Sequence, residues 1–455
     1  MNNIQIYIPD VVNDIIKKLN NANYEAYVVG GAVRDSLMNK APHDWDICTS
    51  ALPEEIMEVF EGEEIIPTGL QHGTVTLVID KTPFEITTMR LDGEYSDSRH
   101  PDSVEFTTDI VKDLSRRDFT INAMAYHPEK GLIDPFNGYK DIQRRIIQTV
   151  GKAEKRFQED PLRILRAIRF SLRMKFAIHY YTAFRIKNCY SLLENISRER
   201  ITSEINQMII YPYFHREFSR YDDVFSFIIP ELANCIMFNQ NNPYHIYNVY
   251  DHTSCALSYA PNDLITKLAL LFHDIGKPQC RHFDDFGVGH FHGHAKISSE
   301  IADNRLKELK YDNETRKKVV ELVSYHDVTF VYTEKEIKKC VKRWLNKIGE
   351  EQFRRLLNVR LADVLAQAPE YALNRINNIY KLLNALEEVL KEKDCFTLKN
   401  LSVNGNDLIT FGIPQGKELG EILTLLLNKV IDGELENKKE VLLDYALEIK
   451  DHFFH

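Results

Sequence analysis

The sequence predicts an α+β domain at the amino terminus, followed by a chain that is almost entirely helical. Up to residue 150, short runs rich in Val, Ile, Thr and aromatic residues alternate with helical segments, which is the pattern of a domain that mixes strands and helices. From about residue 153, apolar residues recur every three or four positions, as in Leu162, Leu165 and Ile168, which is typical of amphipathic helices. A length of 455 residues also predicts about two to four domains.

The elements of the first domain follow one another in a simple order. A strand over residues 27–29 leads through Gly30 and Gly31 into a helix from Ala32 to Met38. Further strands are expected at Trp45–Cys48, Thr74–Ile79 and Phe84–Met89. Turn-forming Pro and Asn residues at 229–230 and 239–243 interrupt the later helical pattern. We therefore predict an α/β domain over 1–150 and helical segments over 151–238, 240–365 and 366–455.

Composition and charge narrow the function classes. Seven scattered cysteines without a C-x-x-C pair argue against a disulfide framework or a zinc ribbon. The sequence shows no signal peptide, and no apolar run approaches the ~18 residues of a membrane span, so we expect a cytoplasmic protein. The formal net charge is −10, yet residues 140–200 hold 15 Lys and Arg against six Asp and Glu, a local charge of +9. This stretch suits a polyanion, although a solvated helical face has the same composition.

Two groups of residues near the amino terminus indicate a triphosphate site. Asp44 and Asp46 stand two apart at the start of an expected strand, so their carboxylates share a face. Mg²⁺ commonly binds through one or two such carboxylates together with substrate phosphates. Upstream, Gly30 and Gly31 precede a helix, where backbone N–H groups can bind an anion, and Arg34 adds a fixed positive charge.

Several motifs together resemble one known family. They occur in the order G-G-A-V-R-D, D-W-D-I-C-T-S-A-L-P, R-R-D-F-T-I-N-A-M-A-Y, D-P-F-N-G-Y-K-D-I and E-D-P-L-R-I-L-R-A-I-R-F. This series is similar to that of nucleotidyltransferases of the DNA polymerase β superfamily. More narrowly, it resembles the bacterial-type (class II) CCA-adding tRNA nucleotidyltransferases and their poly(A) polymerase relatives.

The resemblance implies a reaction and a set of residues that carry it. An RNA 3′-hydroxyl would attack the α-phosphate in line and release pyrophosphate, with Mg²⁺ held by Asp44 and Asp46. Glu85, on a neighbouring strand, is a looser match and is expected to be a third carboxylate; an exposed strand glutamate is the alternative. The nucleotide is expected to contact Gly30, Gly31, Arg34, Arg117, Asp118, Asp160, Arg163, Arg166 and Arg169.

Base selection can be argued from two of these residues. Asp160 and Arg163 stand three apart and are expected to share one face of a helix. Cytosine and adenine both present an amino donor beside a ring-nitrogen acceptor, which a carboxylate and a guanidinium complement. Uracil and guanine place a carbonyl oxygen opposite the carboxylate and would be repelled. In the family, these positions act as a protein template.

The implied partners are ATP, CTP, the 3′ end of tRNA and the tRNA elbow, with no membrane and no obligate protein partner. The tRNA elbow is expected to contact the carboxyl-terminal segment, where residues 401–420 resemble the family's carboxyl-terminal motif. Residues 90–101 supply a loop that enzymes adding only CC are thought to lack, so full CCA addition or addition of A alone is favoured. A poly(A) polymerase remains the alternative.

A second series of motifs resembles the HD domain of metal-dependent phosphohydrolases, which is fused to the nucleotidyltransferase in some family members. These motifs are Y-H-I-Y-N-V-Y-D-H-T, L-A-L-L-F-H-D-I-G-K-P, G-H-A-K and S-Y-H-D. They imply a metal site, and mixed imidazole and carboxylate ligands suit Mn²⁺, Ni²⁺, Fe²⁺ or Zn²⁺. The implied ligands are His252, His273, Asp274 and Asp327.

The expected activity of this domain removes a cyclic or terminal phosphate from RNA ends. His290, His292 and His294 would add a second metal or phosphate contact, with His292 the weakest of the three. Two functions of other classes stay open. One is an HD phosphohydrolase whose amino-terminal domain only binds RNA, and the other is a non-catalytic tRNA-binding protein.

Overall fold

The computed structural model describes residues 4–70, 73–93, 95, 103–334 and 336–450, except for the side chain of residue 68. The chain divides into two units. The first comprises Met1–Tyr213 and Arg220–Ile228, and the second comprises Phe214–Ser219 and Ile229–His455.

Eleven strands lie in the described part of the first unit. They are β1 (Ala26–Val29), β2 (Ile47–Thr49), β3 (Glu64–Gly69), β4 (Thr74–Ile79), β5 (Thr82–Thr88), β6 (Arg90–Asp92), β7 (Val104–Phe106), β8 (Ala125–His127), β9 (Gly131–Ile133), β10 (Ile146–Ile147) and β11 (Ala177–Ile178). The central sheet has the order β3-β4-β5-β2-β1-β8-β9. It is mixed, because β2 and β5 are parallel while their other neighbours are antiparallel.

The described residues also form 22 α-helices, most of which follow the sheet in the chain. They are α1 (Asp10–Asn21), α2 (Gly31–Leu37), α3 (Pro53–Val59), α4 (Ile110–Ser115), α5 (Gly138–Arg144), α6 (Ala153–Glu159), α7 (Leu162–Met174), α8 (Tyr180–Cys189), α9 (Arg198–Ile209), α10 (Phe214–Arg220), α11 (Asp222–Ile228), α12 (Val249–Tyr259), α13 (Leu264–Phe272), α14 (Lys277–Cys280), α15 (His294–Glu308), α16 (Asn313–Tyr325), α17 (Ile337–Ile348), α18 (Glu350–Leu365), α19 (Pro369–Lys391), α20 (Gly405–Thr410), α21 (Lys417–Ile431) and α22 (Lys439–Lys450). The predicted α+β class with a helical remainder is confirmed. Of the helices in the described ranges, none combines the length and apolarity needed to cross a bilayer.

The pairing of three central strands brings predicted active-site residues together at one end of these strands. β1 runs antiparallel to β2, with Val28 opposite Ile47, so the segment that follows β1 lies beside the segment that precedes β2. The amide of Val29 donates to the carbonyl oxygen of Asp46 at 3.0 Å. β2 and β5 pair in parallel with Ile47 opposite Ile86, which places Asp46 next to Glu85.

The second unit is helical apart from one short hairpin among its described residues. The hairpin strands are β12 (His282–Phe283) and β13 (Gly289–His290). Near the carboxyl terminus, α20, α21 and α22 share a buried core that includes Leu408, Leu426 and Leu442.

Candidate active site

A cavity of about 500 Å³ in the first unit collects most of the predicted site. It is lined by Asp44, Asp46 and all nine residues predicted to contact a nucleotide, whereas Glu85 is not part of its wall. Eight arginines and five aspartates line it, so the wall carries a net positive charge. Such a wall favours a polyanionic ligand.

The carboxylates at the edge of the sheet form an acidic group. Asp44 is 85% exposed, with its Oδ1 3.4 Å from Nδ1 of His43, and Asp46 is partly buried. Burial and the charges of Glu85 and Asp44 raise the pKa of Asp46, with Arg117 opposing them. A divalent cation would relieve this repulsion, and a donor set made only of carboxylate oxygens fits Mg²⁺.

The turn between β1 and α2 requires glycine at one position. Gly30 has a φ of +69°, and a Cβ there would lie 2.9 Å from Nη1 of Arg117. A larger residue would therefore be strained and would displace an arginine of the cavity wall. After the turn, the buried Arg34 donates from Nη1 to Oδ1 of Asn122 at 2.6 Å and pairs with Asp35 at 2.7 Å.

Asp118 holds Arg166 in the cavity wall. Its Oδ2 accepts hydrogen bonds from Nε and Nη2 of Arg166 at 3.0 and 2.6 Å. Its Oδ1 accepts from Nδ2 of Asn122 at 3.0 Å and from the amide of Phe119 at 2.7 Å. Burial opposes ionisation, but Arg166 and the Asn122 donor lower the pKa of Asp118 to about 2. Asp118 is thus an ionised residue that positions a cation.

The expectation that Asp160 and Arg163 share one helix is wrong. α6 ends at Glu159, Asp160 is extended (φ −142°, ψ 97°) and Pro161 precedes α7. The reason is steric, because a residue before proline is disfavoured in the helical conformation. Both side chains still line the cavity. Arg163 pairs with Glu159 at 2.9 Å, and Asp160 pairs with Arg200 at 3.1 Å.

Further arginines are fixed by contacts that sequence reasoning missed. Arg169 donates from Nε to Glu204 at 2.5 Å, and both side chains are buried. Phe170 has the guanidinium carbons of Arg34, Arg166 and Arg169 at 5.5, 5.4 and 4.6 Å from its ring centre. Phe170 lies within a quoted motif and could have been chosen, whereas Glu204 and Arg200 come from α9, where no motif indicated a role.

The loop predicted over residues 90–101 lies largely outside the described residues. Its described base contains β6 and Tyr95, whose hydroxyl donates to Oδ2 of Asp92 at 2.7 Å. Asp92 also pairs with Arg116, a residue of the cavity wall, at 3.5 Å.

The second unit holds a buried group of histidines and aspartates. The Nε2 atoms of His252 and His273 lie 3.3 Å apart, and that of His252 lies 3.0 Å from Oδ1 of Asp363. The Nε2 atoms of His294 and His326 lie 3.0 Å apart. The ligand atoms fall into two sets, His252 with His273 and Asp363, and Asp274 with His294 and His326.

Asp274 lies between the two sets. Its Oδ2 is 3.4 and 3.3 Å from Nε2 of His252 and His273, and its Oδ1 is 3.4 and 3.6 Å from Nε2 of His294 and His326. Burial opposes its ionisation, yet nearby positive charge, including that of Lys277, holds the pKa of this carboxyl well below its usual value. Lys277 approaches Oδ2 to 2.6 Å.

The orientation of the four imidazoles fits a metal. Each Nδ1 faces a backbone carbonyl oxygen at 2.7 to 3.3 Å, so the proton of a neutral ring lies there. Each Nε2 then presents a lone pair toward a neighbouring Nε2. Facing lone pairs repel unless a cation lies between them, and a His/Asp donor set suits a transition metal.

The predicted ligand Asp327 lies apart from the group, whereas Asp363, which was not predicted, is one of its members. The side chain of Asp327 is 62% exposed, and its nearest approach to the group is 4.0 Å, to Nδ1 of His294. His326, the preceding residue, is buried and faces inward. Asp327 lines a cavity of about 250 Å³ that opens onto the group. His290 and His292 also line this cavity but belong to neither set of ligand atoms.

Comparison with known proteins identifies relatives along the whole chain. A family model described as "Poly A polymerase head domain" matches residues 26–148. Models for an RNA- and SrmB-binding site of polymerase A and for domain 2 of tRNA nucleotidyltransferases match residues 175–236 and 290–446. A CCA-adding enzyme of Lactobacillus helveticus is 32% identical over 445 residues, covering 96% of this chain and 97% of the relative. That of Lactobacillus johnsonii is 30% identical over 436 residues, covering 95% of each.

A solved structure has the same fold. The crystal structure of the Bacillus stearothermophilus CCA-adding enzyme in complex with CTP superposes with a TM-score of 0.68 at 28% identity and covers 97% of each chain.

Proposed function

This chain belongs to the family of CCA-adding enzymes, which are tRNA nucleotidyltransferases, and we propose that it adds C, C and A in turn to the tRNA 3′ end. The observation that carries the proposal is the cavity of the first unit, which places Asp44 and Asp46 beside a wall of arginines. CTP and ATP are the proposed substrates, and pyrophosphate is the product.

Each step of the proposed reaction has residues to serve it. Asp44 and Asp46, with Glu85 beside them, would hold Mg²⁺, which supplies charge stabilisation at the attacking and leaving oxygens. Gly31 and Arg34 would bind the triphosphate, and Arg117 with Asp118 would lie near the ribose. The ribose 3′-hydroxyl of the tRNA forms a bond to the α-phosphorus as the bond to pyrophosphate breaks, and the arginine wall neutralises the departing charge.

Base selection is proposed to rest on Asp160 and Arg163. Each is held by another residue, since Glu159 fixes Arg163 and Arg200 fixes Asp160. A preorganised carboxylate and guanidinium can pair with cytosine or adenine and reject a base that presents a carbonyl oxygen to the carboxylate. The loop over residues 90–101 would assist the change from C to A addition, and the tail over residues 401–420 would contact the tRNA elbow.

One assay tests the proposal against the related activities. A tRNA transcript that ends at the discriminator base is incubated with Mg²⁺ and each labelled nucleotide. We expect C to be added twice and A once, with a stop at three. A long A tract would indicate a poly(A) polymerase, addition of A only to tRNA ending in CC would indicate an A-adding enzyme, and no addition would favour a protein that only binds RNA.

A second function is favoured by the histidine and aspartate group. We propose that residues 240–365 include an HD-type metal site, and that residues 1–150, 151–238 and 366–455 are a head, a neck and a tail. His252, His273, Asp274, His294, His326 and Asp363 would hold the metal, which supplies an activated water. Attack of water on a 2′,3′-cyclic phosphate forms one P–O bond and breaks one P–O bond to the ribose, whose oxygen takes a proton. The product is a phosphomonoester at an RNA end.

Metal analysis and one double variant test this second function. We expect the purified protein to carry at least one Mn, Ni, Fe or Zn ion per chain, and we expect His273→Ala with Asp274→Ala to lose it. Cyclic phosphodiesterase activity should vanish in that variant while CCA addition survives. Absence of bound metal together with unchanged phosphodiesterase activity would refute the assignment.

A further inference from the structure

An aromatic pair lies at the mouth of the second cavity. Tyr244, which lines the cavity, packs edge to face against Tyr371, with ring centroids 4.7 Å apart and planes at 66°. The two residues are 46% and 45% exposed, so a large part of each ring is open to solvent. Exposed ring faces are surfaces on which nucleic-acid bases stack.

The backbone fixes this pair in place. The amide of Tyr244 donates to Oδ1 of Asn242 at 3.0 Å, and its carbonyl oxygen accepts from the amide of Ala368 at 2.9 Å. Asn242 in turn donates from Nδ2 to the carbonyl oxygen of Gly289 at 2.9 Å. A ring held on a fixed backbone loses little entropy on binding a base.

A cation stands beside the pair on the same helix. Arg375 follows Tyr371 by four residues in α19, so both lie on one face, and Arg375 lines the cavity. In the described part of the chain, no carboxylate lies within the 4.0 Å ion-pairing distance of its guanidinium. Its Nη1 donates to Oε1 of Gln367, which donates from Nε2 to the buried Asp363 at 2.9 Å. This chain of contacts connects the mouth to the histidine and aspartate group.

We propose that Tyr244, Tyr371 and Arg375, termed the tyrosine rim, bind the terminal nucleotide of an RNA chain. Because the two ring planes stand at 66°, its base stacks on the exposed face of Tyr371 and contacts the Tyr244 ring edge to face. Its phosphate meets Arg375 as it enters the cavity. The rim thereby makes the site selective for phosphates that carry a nucleoside. This inference rests on the proposed hydrolase function for its kinetic readout, but the binding site itself is independent of catalysis.

The tyrosine rim can be tested with two substrates, one of which carries a base and one of which does not. They are adenosine 2′,3′-cyclic phosphate and the 2′,3′-cyclic phosphate of methyl riboside, each assayed with the Mn²⁺-loaded full chain. A stacked base contributes about tenfold or more in affinity. We expect the nucleotide to have a KM at least about tenfold lower than the riboside.

Variants of the rim should change KM in a base-dependent way. In Tyr371→Ala, the KM for the nucleotide should rise about tenfold while kcat and the KM for the riboside stay unchanged, and Tyr371→Phe should restore the preference. Arg375→Ala should raise KM for both substrates. Tyr380→Ala is the matched control, because Tyr380 is 50% exposed on the same helix but does not line the cavity. A thermal unfolding curve and a bound-metal content equal to those of the unmodified protein report correct folding of each variant.

Binding measurements distinguish a failure of the tyrosine-rim proposal from a failure of the hydrolase proposal. If neither substrate is cleaved, the hydrolase proposal fails, and calorimetric titration with adenosine 2′-phosphate and methyl riboside 2-phosphate decides on the rim. Nucleotide binding in the first unit is common to all variants and cancels between them. A preference for the nucleotide that Tyr371→Ala leaves intact, or equal binding of both ligands by the unmodified protein, would overturn the proposal.

Discussion

Replacement of Asp46 by Asn should abolish nucleotide addition while stabilising the metal-free protein. Asp46 and Glu85 directly precede the paired residues Ile47 and Ile86 of β2 and β5, and neighbouring strands lie about 4.8 Å apart. Two charges at that distance repel by about 1 kcal/mol in a water-like medium and by about 3 kcal/mol at an effective dielectric constant of 20. Because Glu85 is exposed, the lower figure applies. We therefore expect a gain of about 1 kcal/mol in the free energy of unfolding.

The sign follows from the direction of the pKa shift. Burial, Glu85 and Asp44 raise the pKa of Asp46, so the ionised form is disfavoured in the folded state and stability falls as pH rises through that pKa. Asn removes this loss at neutral pH. With Mg²⁺ the order reverses, because a cation at 100 times its Kd stabilises a protein by about 2.7 kcal/mol and the variant lacks a ligand for it.

Thermal unfolding with EDTA and with Mg²⁺, together with tRNA extension, measures both effects. We expect Asp46→Asn to unfold at a higher temperature than the unmodified protein in EDTA, to gain less from Mg²⁺, and to extend tRNA at least 100-fold more slowly, since metal stabilisation is worth several kcal/mol. Asp14→Asn, which changes an exposed aspartate of α1, is the control. A variant that keeps more than about a tenth of the rate, or that is less stable in EDTA, would refute the reasoning.

Three further predictions concern the wall of the same cavity. Asp160→Ala should increase the incorporation of UTP and GTP about tenfold relative to CTP, and Arg200→Ala should do so to a smaller extent. Single-nucleotide incorporation assays measure this selectivity, and an unchanged selectivity would contradict the prediction. Stability should fall by about 2 kcal/mol between pH 4 and pH 2, because the unfolded chain takes up a proton at this aspartate while the folded Asp118, whose pKa is about 2, stays largely ionised. Acid titration of Asp118→Asn should lack this step. Glu204→Gln leaves the buried Arg169 without its ion pair and should lower the free energy of unfolding in urea by about 3 kcal/mol. If the variant and the unmodified protein unfold at the same urea concentration, the ion pair contributes nothing to stability.

Most of the residues that the motifs singled out line one cavity, and each motif is local. The turn at Gly30, the segment around Asp46 and the start of α7 each carry their functional residues within a few positions, and strand pairing alone brings the first two together. Local reasoning failed at Asp160, where a helix was extended across Pro161 although proline disfavours the helical conformation of the preceding residue. The side chains that hold the site could not be read from motifs, because Arg200 and Glu204 reach it from α9.

The prediction of Asp327 rested on its place directly after a histidine. Adjacent residues near a helix end point about 100° apart, so the inward His326 directs Asp327 outward, and a His-Asp pair does not by itself place both residues in one site. At His273 and Asp274, both side chains reach the group, although α13, like α16, ends at the residue before its histidine. The missing carboxylate was present in the sequence as Asp363, in the run R-L-A-D-V-L of α18. A carboxylate between buried apolar residues is costly unless a cation or hydrogen-bond donors compensate it, so its position within an apolar helical stripe was the signal that indicated a ligand.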